Sequence, residues 1–166
     1  MRASRSCTVS VAPGTPARGL DTAFTRTDWC RRTSLEGFGI VQNRREAVTP
    51  CFHVRLQGRL DVDRLAVDEH FDWSDGEREH KTWRFVREGS RYCGRRDDTV
   101  GDAHGEQRGN AFKLRYVLRV RAGDRDWNIA MDDWLFMIDE HTVVNRIRMR
   151  KFGIRVGELS AAFRKS

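Results

Sequence analysis

The chain has 166 residues, which is enough for one domain with a sizeable core, and 10% of them are aromatic, which excludes a disordered chain. The net charge is +7, and Arg2, Arg5 and Arg18 in the acid-free first 20 residues supply +3 of it, so the remainder carries 7 − 3 = +4. The basic residues form no dense stripe and accompany no familiar nucleic-acid motif, so we do not expect nucleic-acid binding. We interpret them as a solvated outer face, with an acidic membrane surface as an alternative partner.

The first 20 residues differ in composition from the rest. They are basic and rich in Ser, Pro and Gly, and they lack the apolar core of a secretory signal, so we expect residues 1–20 to be a disordered leader. Residues 21–166 are predicted to form the folded domain. Its only predicted helix is a short one over residues 21–32, which Asp21 would cap. No stretch approaches 18 apolar residues, so no membrane-spanning helix is expected.

The dominant pattern is alternation, because apolar residues recur at every second position from residue 37 to residue 163. The clearest run contains Phe112, Leu114, Tyr116, Leu118 and Val120. Period two is typical of strands with one buried and one solvated face. About ten such segments joined by short turns predict an all-β fold, a single antiparallel up-and-down barrel. The predicted strands are 36–42, 51–60, 65–73, 79–87, 92–100, 101–109 (an edge or bulged strand), 112–121, 126–138, 142–151 and 154–164.

Several polar side chains fall on the predicted inner face among large apolar residues. They are Glu69, Arg96, Asp98, Asp133, Asn145 and Glu158, although a bulge at Gly157 could shift the phase at Glu158. A buried carboxylate without a partner costs several kcal/mol, so such groups pair with one another, become protonated or meet a ligand. One interpretation is an internal network in which Arg96 neutralises an acid and Tyr116 donates to another. The alternatives are a polar patch that orients the head of a lipid-like ligand, and acid–base catalysis by two of the carboxylates.

The cysteines and the acidic His-containing triplets give little support to a metal site. Cys7, Cys30, Cys51 and Cys93 are far apart and form no C-x-x-C, so isolated thiols are expected, with a disulfide such as Cys30–Cys51 as the alternative. The triplets Asp102/His104/Glu106 and Asp68/His70/Asp72 each share one strand face. Same-face neighbours lie about 7 Å apart, too far for three of them to share an ion without a bend. We expect neither a metal nor another cofactor.

Several strings of residues also resemble a known family. They are Leu65–Phe71 (LAVDEHF) with Ser74–Gly76, Lys81–Phe85 (KTWRF), Asp97–Gly101 (DDTVG), Asp132–Trp134 (DDW) and above all Lys151–Glu158 (KFGIRVGE). Over about residues 34–165 the chain resembles domain-of-unknown-function family 3833, described as lipoproteins of Gram-negative bacteria. The resemblance implies a lipocalin-like barrel, an N-terminal lipid anchor, a location in the periplasm or outer membrane, and a gene neighbourhood of fatty-acid-modifying enzymes.

The family has no established activity, so the resemblance assigns no catalytic residue. Cys7 lacks the apolar run of a lipobox, so a cytoplasmic location is the alternative to the cell envelope.

Three functions remain open at this stage. We favour a non-enzymatic barrel that binds an apolar or amphipathic ligand, fatty-acid-like or lipid-like, through the inward polar residues, Tyr116 and the apolar wall. This hypothesis predicts a cavity of a few hundred Å³ that touches Glu69 and Asp133. The second function is an enzyme that acts on a modified acyl chain through inward carboxylates. The third is a structural or interaction barrel with a filled core. The sequence does not indicate an oligomeric state.

Overall fold

The computed structural model of the protein describes residues 33–166, and these form ten β-strands. The strands are β1 Thr33–Asn43, β2 Val48–Asp61, β3 Arg64–Trp73, β4 Arg78–Glu88, β5 Arg91–Arg95, β6 Ala103–Arg108, β7 Ala111–Ala122, β8 Arg125–Met137, β9 Thr142–Lys151 and β10 Ile154–Lys165. Within this range there is no helix with the length and apolar character needed to cross a membrane. The leader and the short helix expected before residue 33 lie outside the described residues.

The strands form a closed barrel in which each one pairs antiparallel with its neighbours in sequence. The ring is completed between the first and last strands, where Leu35 is opposite Lys165 and Asn43 is opposite Gly157. Short connections and period-two alternation favour this arrangement, because each hairpin places its apolar residues on the same face as the previous one. The predicted all-β, single up-and-down barrel is confirmed.

Two strand predictions need correction around the connection between β5 and β6. The predicted strand 92–100 ends at Arg95, because Thr99 folds the next residues into a turn: its backbone N–H donates to the carbonyl of Arg96 at 3.0 Å. Only Thr99 continues the sheet, as an isolated bridge to Leu118. The segment expected to be an edge or bulged strand is instead a regular strand, Ala103–Arg108, paired on both sides.

The inward apolar residues form two clusters inside the barrel. One contains Trp83, Phe85, Tyr92, Leu114 and Met131 among others, and the second includes Phe52, Val54, Val143 and Phe163. Leu159 packs against both clusters, so they are continuous on one side of the barrel. Apolar burial in these clusters stabilises the closed sheet.

The cysteine prediction is correct for one residue and wrong for another. Cys51 is a free, exposed thiol, which excludes the Cys30–Cys51 disulfide. Cys93, by contrast, is disulfide-bonded rather than an isolated thiol.

Closure of the barrel depends on close approach at Gly37. A Cβ atom at this position would overlap the backbone carbonyl oxygen of Ala162 and the ring of Phe163. We expect Gly37→Ala to lower the free energy of unfolding by about 1–3 kcal/mol, because the strand pairing must shift to admit the methyl group. Urea denaturation measures the change. Ser34→Ala, at an exposed position of the same strand, should have little effect, and equal losses in both variants would contradict the explanation.

Candidate functional site

The barrel encloses a cavity of about 700 Å³. Its wall is mostly apolar and is formed by inward side chains of the two clusters. Six of the seven sequence-predicted site residues line it: Glu69, Arg96, Asp98, Tyr116, Asp133 and Asn145. These residues come from five separate parts of the chain. Arg96 and Asp98 lie in the turn after β5, and the other four alternate along strands. The predicted contact of Glu69 and Asp133 with one cavity is observed, and the described barrel is not filled by side chains.

Arg96 is the centre of the first polar group in the cavity. Its Nη1 donates a 2.8 Å hydrogen bond to Oε2 of Glu69. Its Nε and Nη2 donate to the two carboxylate oxygens of Asp98 at 2.6 and 3.1 Å, which is a bidentate pairing. The Arg96 side chain is only 10% exposed, so these contacts lie in a poorly solvated environment. The expected neutralisation of an inward acid by Arg96 is present.

The turn after β5 positions this group. The Thr99 hydroxyl donates to the carbonyl of Arg96 at 2.7 Å and accepts from its N–H at 3.2 Å, which fixes the backbone of the turn. The carbonyl of Asp98 accepts from the N–H of Arg119 at 2.9 Å and so holds the turn against β7. Gly101 has φ of 79°, a conformation that favours glycine, and redirects the chain into β6.

Two further residues of this group were missed in the sequence. Lys81 Nζ lies 3.5 Å from Oδ2 of Asp98, and the Trp83 ring lies beneath the guanidinium of Arg96, with 4.9 Å between Cζ and the ring centroid. Both line the cavity from β4. The alternation in the sequence could have predicted the inward position of Lys81, because Lys81 is in phase with the inward residues Trp83 and Phe85.

Asp133 is the centre of the second polar group. Its carboxylate accepts a hydrogen bond from Nδ2 of Asn145 at 2.5 Å and a weaker one from the Tyr116 hydroxyl at 3.5 Å. Asn145 Nδ2 also donates to the carbonyl of Trp134 at 3.0 Å, which holds the amide in place. Asp133 and Asn145 are the two buried polar residues of the described chain, 7% and 6% exposed.

Burial changes the acid–base properties of these groups. Desolvation raises the pKa of the Asp133 carboxyl from 3.8 to about 7, although the hydrogen bond from Asn145 opposes the change. Desolvation also raises the pKa of Glu69 against the attraction of Arg96. At Asp98 burial acts in the same direction, but the hydrogen bonds and charge of Arg96 outweigh it and lower the pKa. Burial and the nearby Asp133 raise the pKa of Tyr116 well above its ordinary value.

The charges inside the cavity nearly cancel. Arg96 and Lys81 are paired with Glu69 and Asp98, and Asp133 is partly protonated near neutral pH because its pKa is about 7. Every polar side chain of the two groups has a partner inside the described barrel. Within the two polar groups, therefore, no cation is left unpaired. Arg119 and Arg121 also line the cavity, and Arg121 lies 3.3 Å from Asp126.

Glu158 does not belong to the cavity, and its predicted inward orientation is wrong. The β9–β10 register shifts between Arg155 and Gly157. Because of this shift, the residues that face the inside of the barrel are Gly157, Leu159 and Ala161. The Glu158 carboxylate instead lies 3.6 Å from Arg148 and 3.7 Å from Arg155. A bulge of this kind moves the following side chains to the opposite face.

Carboxylates of the two acidic triplets considered for metal binding form ion pairs with arginine side chains instead. Asp68 accepts from Arg59 at 2.5 Å and from Thr82 at 2.7 Å, and Glu106 pairs with Arg108 at 2.9 Å. Within residues 33–166, no three His, Cys, Asp or Glu side chains are grouped so that they could hold a metal ion.

Comparison with known families supports the resemblance seen in the sequence. Residues 24–165 match the family described as protein of unknown function (DUF3833). The chain belongs to this family. No curated protein matches it significantly.

Two solved structures are similar to this DUF3833 member. A protein of unknown function from the DUF3598 family of Nostoc punctiforme PCC 73102 has a TM-score of 0.65 at 15% identity, covering 87% of this chain and 51% of the other. A protein provisionally named AttH from Nitrosomonas europaea has a TM-score of 0.30 at 10% identity, covering 92% and 56%. The chain thus spans about half the length of both. The first similarity supports the barrel fold.

Proposed function

We propose that this DUF3833 protein binds an apolar or amphipathic ligand, fatty-acid-like or lipid-like, inside its barrel at the bacterial cell envelope. The observation that carries the proposal is the cavity of about 700 Å³, which lies within the usual range for small-molecule sites. Residues such as Phe71, Trp83 and Leu135 form its wall and offer apolar contact. The envelope location rests on the family resemblance alone.

The polar groups favour a ligand with an uncharged head. Arg96 and Lys81 are already paired with carboxylates, so neither offers free positive charge to an anion. Transfer of an unpaired carboxylate into such an interior costs several kcal/mol, whereas a hydroxyl can donate to Asp133 or Glu69 at lower cost. A fatty acid would therefore bind in its protonated form.

Matched amphiphiles test this preference. We expect decanol to bind roughly tenfold more tightly than decanoate at pH 8, where the acid is ionised, because the anion meets no unpaired cation in the two polar groups. The difference should narrow as the pH falls toward 4, where the acid is largely protonated. Quenching or enhancement of tryptophan fluorescence on titration measures both affinities. Tighter binding of decanoate at pH 8 would show that Arg96 or Lys81 exchanges its carboxylate partner for the ligand.

Native mass spectrometry of the protein purified from its own host tests the proposed function directly. The expected result is a population of the protein whose mass is increased by a bound molecule. Organic solvent should extract this molecule, and it should be identified as a lipid. Val67→Trp, which projects into the cavity, should remove this population, whereas Val144→Trp on the outer face should retain it. Equal lipid content in the two variants, or no binding of any amphiphile by the wild type, would contradict ligand binding in the barrel.

A further inference from the structure

The β9–β10 hairpin carries an exposed aromatic residue in an unfavourable backbone conformation. Phe152 and Gly153 form its two-residue turn with φ of 51° and 79°. Such a turn favours Asn or Gly at its first position, and a bulky residue with positive φ is an outlier. The Phe152 side chain is nevertheless 89% exposed, and Ile154 beside it is 57% exposed. Neither packing nor turn geometry within the described residues explains a phenylalanine here.

Positive charge surrounds this tip. Three hairpins that are neighbours around the barrel, at residues 43–48, 121–126 and 150–155, contain seven Lys or Arg and three Asp or Glu, a net charge of +4. We call these residues the basic sector. Two of its hairpins touch, since Arg155 lies 3.7 Å from Glu46. Its basic side chains are Arg44, Arg45, Arg121, Arg125, Arg150, Lys151 and Arg155.

The opposite end of the barrel has a different character. There, Val62 is also 89% exposed and also has φ of 51°, but Asp61 and Asp63 flank it. The four connections at that end, at residues 61–64, 88–91, 108–111 and 137–142, sum to a net charge of −2, whereas all five connections at the end with Phe152 sum to +2. Exposed apolar tips thus occur at both ends, and only one of them is surrounded by cations.

We propose that the basic sector docks on an anionic lipid bilayer, with Phe152 inserted at the level of the headgroups. An aromatic side chain at the interface and Lys or Arg near an anionic surface each strengthen membrane association. Arg121 of the sector also lines the cavity, so docking brings this end of the cavity close to the bilayer. An apolar ligand would then pass between membrane and barrel with little exposure to water.

Sedimentation with lipid vesicles tests the docking surface. The full chain should bind phosphatidylcholine vesicles that contain phosphatidylglycerol at low salt, bind weakly at high salt, and not bind phosphatidylcholine alone. Phe152→Asn should weaken binding roughly tenfold, because the inserted ring is lost. The same substitution should raise the urea midpoint, since asparagine tolerates positive φ, so reduced binding does not result from unfolding.

Val62→Asn is the matched control, with the same substitution, exposure and φ at the acidic end. It should raise the urea midpoint and leave vesicle binding unchanged. Equal weakening in the two variants, or no binding of the wild type to anionic vesicles, would overturn the proposal. Binding to soluble polyglutamate as tight as to vesicles, unaffected by Phe152→Asn, would identify a general polyanion site and would also overturn it. Decanol binding is measured without vesicles, so failure of docking and failure of the proposed function are distinguishable.

Discussion

Replacement of Arg96 by methionine is expected to lower the free energy of unfolding by about 3–5 kcal/mol at neutral pH, the range for breaking a buried ion pair. The substitution removes the cation that holds both Glu69 and Asp98, and a methionine side chain can fill the space but cannot pair with either acid. Lys81 remains 3.5 Å from Asp98 and compensates that carboxylate only in part. Urea denaturation measures the loss.

Two controls separate this explanation from a general effect of removing an arginine. Arg95→Met changes the preceding residue, which pairs with Asp102 on the outer face, and should alter stability little. The loss of stability in Arg96→Met should also shrink as the pH falls, because burial raises the pKa of Glu69 and a protonated Glu69 no longer needs a cation. A similar cost for both substitutions would mean that water screens the charges inside the cavity.

The second large effect is a decrease in stability with rising pH that depends on Asp133. Its pKa is about 7 in the folded protein against an ordinary value of 3.8, so the folded state holds the proton more tightly. The stabilisation from this proton is fully present below pH 4 and is lost as the pH rises to about 7. At 1.36 kcal/mol per pKa unit, the loss is on the order of 4 kcal/mol.

Asp133→Asn should make the free energy of unfolding depend less on pH. The amide is nearly isosteric, it can still accept from Asn145, and it has no proton to lose. The variant should therefore be more stable than the wild type at pH 8, with a smaller difference at pH 5. Glu69 contributes a slope of the same sign, since its pKa is also raised, so some dependence will remain.

Urea denaturation at several pH values between 5 and 8 measures how the free energy of unfolding depends on pH in the wild type and in Asp133→Asn. Asp132→Asn, one residue earlier on the outer face of β8, should keep the wild-type slope. If Asp133→Asn kept it as well, Asp133 would be ionised throughout this range, and the nearly neutral charge balance proposed for the cavity would be wrong.

The inward orientation of most site residues could be predicted because strand alternation is local. Asp133 continues the phase of Ile129 and Met131, and Asn145 that of Val143, whatever lies across the barrel. The same rule would have found Lys81, which is two residues before Trp83. The alternation rule gave the wrong orientation for Glu158, because the bulge before Gly157 is set by pairing with Met149 on the neighbouring strand.

Local sequence patterns were sufficient to predict the class of fold, the number of strands and five of the six polar or charged residues assigned to the inside of the barrel. Side-chain period and turn chemistry within each hairpin account for the strand residues among them. Arg96 and Asp98 lie in the turn after β5, so their inward position does not follow from the period. The tertiary structure decided the rest: the pairing of Arg96 with Glu69, the burial of Asp133, the size of the cavity and the grouping of cations at one end. Each of these depends on distances between residues far apart in the chain, which are fixed only when β1 and β10 close the ring.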